Sequence, residues 1–389
     1  MPRLGIYIQV PFCQTKCTYC NFHTGVVSST RFSPYADAVV REIRGYKELY
    51  RAAGVKLPAG FENAAVDTVY IGGGTPSLLE PELLQGIMEA IRGTFTTELS
   101  EVTLEADPET VEAGKAAAWV RAGINRVSFG VQSFSDKELV AAGRMHRKAD
   151  IYRAVPILRE AGIRNISFDL IAGLPFQTKE SWEESLEELG RLEPEHVSVY
   201  LLEVDEGSRL GLEILQSGTR YSAGAVPSDD SMAGFYEAAC AYLGDAGYHH
   251  YEISNWAKPG FESKHNLKYW KREPYLGFGA GAHSFSGAQR WANAHDAAEY
   301  AGAIQAGRLP AEQLEAVTRE SALEEELFLG LRQLDGIDVG RIEREYGVVL
   351  GRRFEPLESA GLVIRDGDVM RLAPARLSVS NEVFVELMR

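Results

Sequence analysis

Residues 7–22 read YIQVPFCQTKCTYCNF, an apolar strand that passes through Pro11 into a loop carrying Cys13, Cys17 and Cys20. A continuous apolar run such as GIYIQV, residues 5–10, reads as a strand buried on both faces, and βα barrels place their chemistry on the loops that leave such strands. Three thiolates spaced C-x3-C-x2-C can hold three irons of a cubane 4Fe–4S cluster, and the fourth iron then lacks a protein ligand. Zinc with His23 as fourth ligand would use the same segment, and spacing alone leaves both readings open. The fourth cysteine, Cys240, lies far downstream in FYEAACAYL and reads as a small buried hydrophobe on a helix.

Outward from this loop the chain alternates. Apolar runs at 66–73, 101–107, 126–134, 165–174 and 196–204 predict five more strands, and helical patterns fit between them at 33–50, 81–95, 109–122, 150–161 and 179–192. Six βα units predict an α/β fold, a partial (β/α)6 barrel, although an open doubly wound sheet would alternate in the same way. Residues 1–204 form this core. Residues 205–317 are less regular, with one helix at 229–247, and read as an extension of the barrel. Residues 318–389 predict a small winged-helix-like unit: three helices and a hairpin turning at Asp366-Gly367.

The chain has 40 Lys and Arg against 55 Asp and Glu in 389 residues, a formal net charge of −15. That balance argues against nucleic acid as a partner, because phosphate must be neutralised by Lys and Arg. It also weakens DNA binding by the C-terminal unit, where acidic residues outnumber Arg and Lys is absent, and favours a docking or lid role. No apolar run reaches the roughly 20 residues of a membrane span. The N-terminus lacks a basic leader and a cleavage site, which reads as cytoplasmic.

The motifs YIQVPFCQTKCTYCNF, IGGGTPS, LEADPE, FGVQSF, SFDLIAGLPFQT and YLGFGAGAHS follow one another along the chain. In that order they resemble the radical S-adenosylmethionine superfamily, within it the oxygen-independent coproporphyrinogen III oxidase group. The resemblance implies a 4Fe–4S cluster on Cys13, Cys17 and Cys20, with S-adenosylmethionine on the open iron. It implies cofactor contacts from Gly73, Gly74, Thr75 and Glu105, polar contacts from Gln132, Arg144 and Asp169, and aromatic neighbours in Tyr7 and Tyr19. Each also has a plainer reading: a glycine turn, a solvated strand-end carboxylate, a surface arginine, a core tyrosine.

Within that group, Phe22 stands where the oxidases carry a further cysteine, and no sizeable extension precedes Cys13. Both features, together with His265-Asn266-Leu267-Lys268-Tyr269-Trp270 matching HNxxYW, are similar to the HemW branch of haem chaperones. This resemblance implies haem and a haem-acceptor protein as partners, an electron donor, and His265 as axial ligand, with His249, His250 and His283 as alternatives. Two other functions compete: a radical enzyme of porphyrin metabolism, of the coproporphyrinogen III oxidase type and less favoured, and a zinc-stapled regulatory module.

Overall fold

The computed structural model describes residues 3–387. Six strands, β1 (Arg3–Val10), β2 (Ala65–Gly73), β3 (Thr97–Ala106), β4 (Arg126–Gln132), β5 (Asn165–Ala172) and β6 (His196–Leu201), lie side by side in chain order, all parallel. Their inward and outward residues are both covered. Ile6, Val69, Leu104, Val127, Phe168 and Val197 are buried in one continuous core with helix residues such as Ile43, Ile91, Trp119 and Leu158. Burial on two faces is what lets each strand appear as an unbroken apolar run.

The extension continues the same sheet. β9 (Tyr275–Phe278) pairs with β1 in parallel, and β10 (His283–Phe285), β11 (Gln289–Asn293) and β12 (Ala311–Ala316) follow it antiparallel. At the other edge β8 (Asn255–Ala257) pairs antiparallel with β6, and β7 (His249–Glu252) with β8. The twelve-stranded sheet runs β12-β11-β10-β9-β1-β2-β3-β4-β5-β6-β8-β7, so the barrel is partial. The alternation at 5–204 therefore resolves as a partial (β/α)6 barrel. Some boundaries move: the segment at 109–122 is a short 3-10 turn followed by a helix at Ala113–Ala122, and β4 stops at Gln132, whose φ of 65° ends the strand.

The C-terminal helices span Arg319–Arg332, Val339–Tyr346 and Gly351–Ser359, and the hairpin Val363–Asp366 with Val369–Leu372 turns through Gly367 at φ 60°. A two-residue strand, Ile337–Asp338, makes a third strand of this winged-helix-like unit, and a further helix, Ser380–Leu387, follows. Charged contacts fasten the unit to the barrel: Glu325 bridges Arg272 and Arg290, and the Arg332 guanidinium sits 4.6 Å over the Trp270 ring and pairs with buried Glu252.

The HNxxYW segment is the helix Lys264–Trp270, which packs against the start of β2. Ser263 caps it by accepting from the Asn266 N–H. Glu101, at 3% exposure, accepts from the Lys264 and His265 N–H groups at 2.9 and 3.0 Å, neutralising the positive end of the helix. Lys268 Nζ lies 2.9 Å from Asp67 Oδ1, with side chains only 4% and 10% exposed. Removing one partner of a buried ion pair strands the other. Lys268→Met is therefore expected to lower the denaturant-unfolding free energy by about 3–5 kcal/mol, and the double variant with Asp67→Asn to recover part of that loss.

Candidate metal and cofactor site

Pro11 ends β1, and the loop after it is closed by two backbone bonds: Cys13 N–H to the Gly25 carbonyl at 3.0 Å and Gly25 N–H to the Pro11 carbonyl at 2.9 Å. Within the ring, Cys20 N–H donates to the Cys17 carbonyl at 3.4 Å, which curls the three thiols onto one side. From outside, Thr18 donates to Ala142 and accepts from Leu210. Cys13, Cys17 and Cys20 are half-buried and line one cavity of about 610 Å³. Burial pushes the Cys13 and Cys20 thiols up from their ordinary range, so in the metal-free protein both keep their protons.

The loop after β2 faces this one. Gly73 N–H donates to Glu105 Oε2 at 2.9 Å and Tyr70 Oη donates to Glu105 Oε1 at 2.9 Å, which fixes the carboxylate at the end of β3. Thr75 Oγ1 donates to Asp107 Oδ2 at 3.1 Å. Arg144 joins the two ends of the site: Nη1 approaches Cys17 Sγ at 3.5 Å, while Nη2 donates to Asp107 and, at 2.8 Å, to the Gly130 carbonyl. A Cβ at Gly130 would come within 2.8 Å of Gln132 Nε2 and 3.0 Å of Arg144 Nη2, so glycine makes room for both side chains. Asp169 accepts from Ser128 Oγ at 3.3 Å, and its carboxyl is raised by burial.

Tyr19, Gly73, Gly74, Thr75, Glu105, Gln132, Arg144 and Asp169 share the cavity with the thiols. Tyr7 and His265 do not reach it. Tyr7 lies behind, stacked on Tyr70 at 6.0 Å with its hydroxyl on Gln9. His265 is 1% exposed and both ring nitrogens are engaged, Nδ1 with Thr68 Oγ1 and Nε2 with Tyr269 Oη, each at 2.9 Å. Burial pushes its pKa down to about 3, so the imidazole is neutral, but it has no lone pair free for iron in this arrangement. The implied axial-ligand role therefore meets a ring that bridges β2 to the helix. Of the alternatives, His250 stacks on Trp256 at 4.0 Å, while His249 and His283 are exposed.

His23 is exposed and its ring rests on His295 at 4.0 Å, outside the residues that line the cavity. Among the described residues no three His, Cys, Asp or Glu side chains converge on a single-ion site. Three thiols of one loop, with His23 stacked on His295 and not among them, match the three-ligand set of a cubane cluster with one open iron. Asp107, Tyr70 and Arg126 are among the cavity residues that the sequence reading did not single out. Asp107 alone left a signal, standing two residues after Glu105 and so on the same face of an extended segment. Arg126 is 2% exposed, with Nε and Nη1 lacking partners, which suits a carboxylate-bearing ligand.

Residues 7–189 match the family model described as the radical SAM superfamily, and 317–375 match the HemN C-terminal domain. The chain is 36% identical to the heme chaperone HemW of Bacillus subtilis over 97% of each chain. It is 35% identical to that of Escherichia coli over 73% of this chain and 70% of the other. This chain belongs to the HemW family. Its fold is that of the Escherichia coli coproporphyrinogen III oxidase, with TM-score 0.82 at 22% identity, over 99% of this chain and 90% of that one. In this HemW-family chain Phe22, at the position noted above, is 67% exposed and lines the cavity beside the thiols. No described helix is long and apolar enough to cross a membrane.

Burial raises the Glu105 carboxyl to about 7, against the opposing hydrogen bonds from Gly73 and Tyr70. The folded chain therefore holds this proton more tightly than the unfolded chain. Its stabilising contribution is complete below the ordinary value of 4.5 and disappears as pH rises through about 7. Urea midpoints measured from about pH 5 to about pH 7.5 are expected to fall less steeply for Glu105→Gln than for the wild type.

Proposed function

We propose that the protein is a cytoplasmic haem chaperone that binds haem, a 4Fe–4S cluster and S-adenosylmethionine, and passes haem to an acceptor protein. The observation that carries the cofactor half is the gathering of three thiols of one loop with Glu105, Asp107 and Arg144 around one cavity. Near full-length likeness to curated haem chaperones supports the haem half.

In this reading Cys13, Cys17 and Cys20 hold the cluster, and assembly releases the protons that burial keeps on Cys13 and Cys20. When bound, the cluster supplies an iron open to the methionine end of the cofactor, with electrons from a separate donor. Gly73 and Gly74 bring backbone close to that ligand, and Thr75, Gln132 and Asp169 offer polar groups. Glu105 accepts from hydroxyl or amino groups, while Arg144 positions Asp107 and Cys17 together. Tyr19 covers the thiol side, and Tyr7 supports Tyr70 from behind. A cationic ligand beside Glu105 favours its ionised form, so affinity for S-adenosylmethionine rises as pH increases through about 7.

Residues 318–389 act as a lid and docking unit on the core of 1–204 and its extension 205–317. Leu377, Ser378, Ser380 and Asn381 line the cavity from that unit, which supports the lid role.

Anaerobic reconstitution is expected to give about four irons per chain and a brown protein. Cys13→Ala, Cys17→Ala and Cys20→Ala should each lose that iron, whereas Cys240→Ala should keep it. Hemin titration of the same preparation should give a Soret band, and transfer to an acceptor is read by its loss. Decarboxylated porphyrinogen with 5′-deoxyadenosine would instead assign the chain to the oxidases. Stoichiometric zinc in a colourless protein would assign it to a regulatory module.

A further inference from the structure

The eight histidines of the chain divide by what holds their rings. His146, His196 and His265 are buried and hydrogen-bonded through the ring, to Val131, to Ser167 and Tyr251, and to Thr68 and Tyr269. His250 lies flat on Trp256 with Nε2 at 3.1 Å from the Ile253 carbonyl. His249 is exposed, 3.7 Å from a Glu262 oxygen, in edge strand β7. The remaining three come from separate segments, and two of them, His23 and His295, meet. His23 follows the cysteines, His283 opens β10, and His295 follows β11.

The His23 and His295 rings lie 4.0 Å apart, tilted by 35°. His283 pairs in register with Ala292, close to His295 in sequence, and its pKa is lowered by burial and by His295. The opposite wall of the patch is glycine: a Cβ at Gly281 would come within 2.9 Å of His295 Nδ1. His295 is thus seated against a turn, and His23 lies on it from the loop side.

That loop also carries the exposed apolar side chains Phe22, Val26 and Val27, at 67%, 59% and 40% exposure. Its backbone is held, with Gly25 bonded to both Pro11 and Cys13, so the apolar residues stay outside the core. Paired imidazoles beside exposed apolar groups suit a ligand with a flat hydrophobic face and a metal at its centre, because neutral imidazole binds haem iron and apolar side chains cover the macrocycle.

We propose that His23, backed by His295, is an axial ligand to haem iron in a docking patch on the cysteine loop, with Phe22 and Val26 against the porphyrin face. This rests on the haem-chaperone reading and names the site at which the cargo is held. It places the cargo beside the thiol loop, away from the HNxxYW helix.

The test is titration of hemin, and in parallel of iron-free protoporphyrin IX, into the full chain. His23→Ala is expected to weaken hemin binding by about tenfold or more, the equivalent of about 1.4 kcal/mol, and to shift the Soret band away from its wild-type position. It should leave protoporphyrin IX affinity unchanged. Phe22→Ser should weaken both ligands, and His249→Ala neither. Free imidazole added to His23→Ala should restore the wild-type Soret position. Wild-type affinity and spectrum in the His23→Ala/His295→Ala double variant would overturn the ligand assignment while leaving the chaperone reading intact. An equal loss for protoporphyrin IX in His23→Ala would also overturn it. Failure of the wild type to take up hemin would overturn the chaperone reading and this site with it.

Discussion

The close backbone approach between Gly74 and Phe12 sets the positions of everything else at the cavity. Gly74 N–H donates to the Val10 carbonyl at 2.8 Å and Thr75 N–H to the Phe12 carbonyl at 2.7 Å, while a Cβ on Gly74 would stand 2.4 Å from the Phe12 oxygen. Any side chain there would push the loop after β1 away from the loop after β2, and backbone in a packed interior cannot yield by that much cheaply. Gly73, at φ 114°, then turns its N–H to Glu105, and Thr75 turns its hydroxyl to Asp107. Arg144 completes the ring by touching both Asp107 and Cys17. The thiols and the carboxylates are thus held by one chain of contacts through four strand ends, which is how a barrel keeps a preorganised site on mobile-looking loops.

The opposite end of the barrel is built on charge. Asp67 near the start of β2 and Glu101 midway along β3 face the short helix Lys264–Trp270, which meets them with Lys268 and its N-terminal amides. His265 adds a neutral bridge to Thr68, and Trp270 passes the contact on to Arg332 of the C-terminal unit. The HNxxYW residues therefore join barrel to C-terminal unit. This gives the motif a structural reason to exist that is independent of any ligand, and explains why its histidine offers no free ring nitrogen to a metal.

The sequence made β1 to β6 legible because strands buried on both faces must be apolar throughout, and the cysteine loop because its spacing has few uses. β7 to β12 were not legible. Most are three to five residues long, and the six-residue β12, AEQLEA, is largely exposed, so neither alternation nor hydrophobicity marks them. Glu105, Gln132 and Asp169 were reachable only through resemblance, since a strand-end polar residue looks the same facing solvent or facing a cavity. Arg126 gave no signal, because a charged residue at a strand start is ordinarily exposed, and only the packing of the barrel encloses it. His265 was legible as a motif residue, but its bonds to Thr68 and Tyr269 depend on the fold bringing β2 to a helix far along the chain.

The loop after β1 has two faces on one frame. Its inner face carries Cys13, Cys17 and Cys20, half-buried at the cavity, Phe22 stands exposed at the cavity beside them, and its outer face carries Val26 and Val27 in solvent. The bonds Gly25 to Pro11 and Cys13 to Gly25 close the frame, so the two faces cannot reorient independently. Only two residues separate Cys20 from His23, too few to absorb a displacement without moving the imidazole. A change in how the thiols are engaged is therefore felt at His23 and Phe22 through covalent backbone, with no need for a longer path through the barrel.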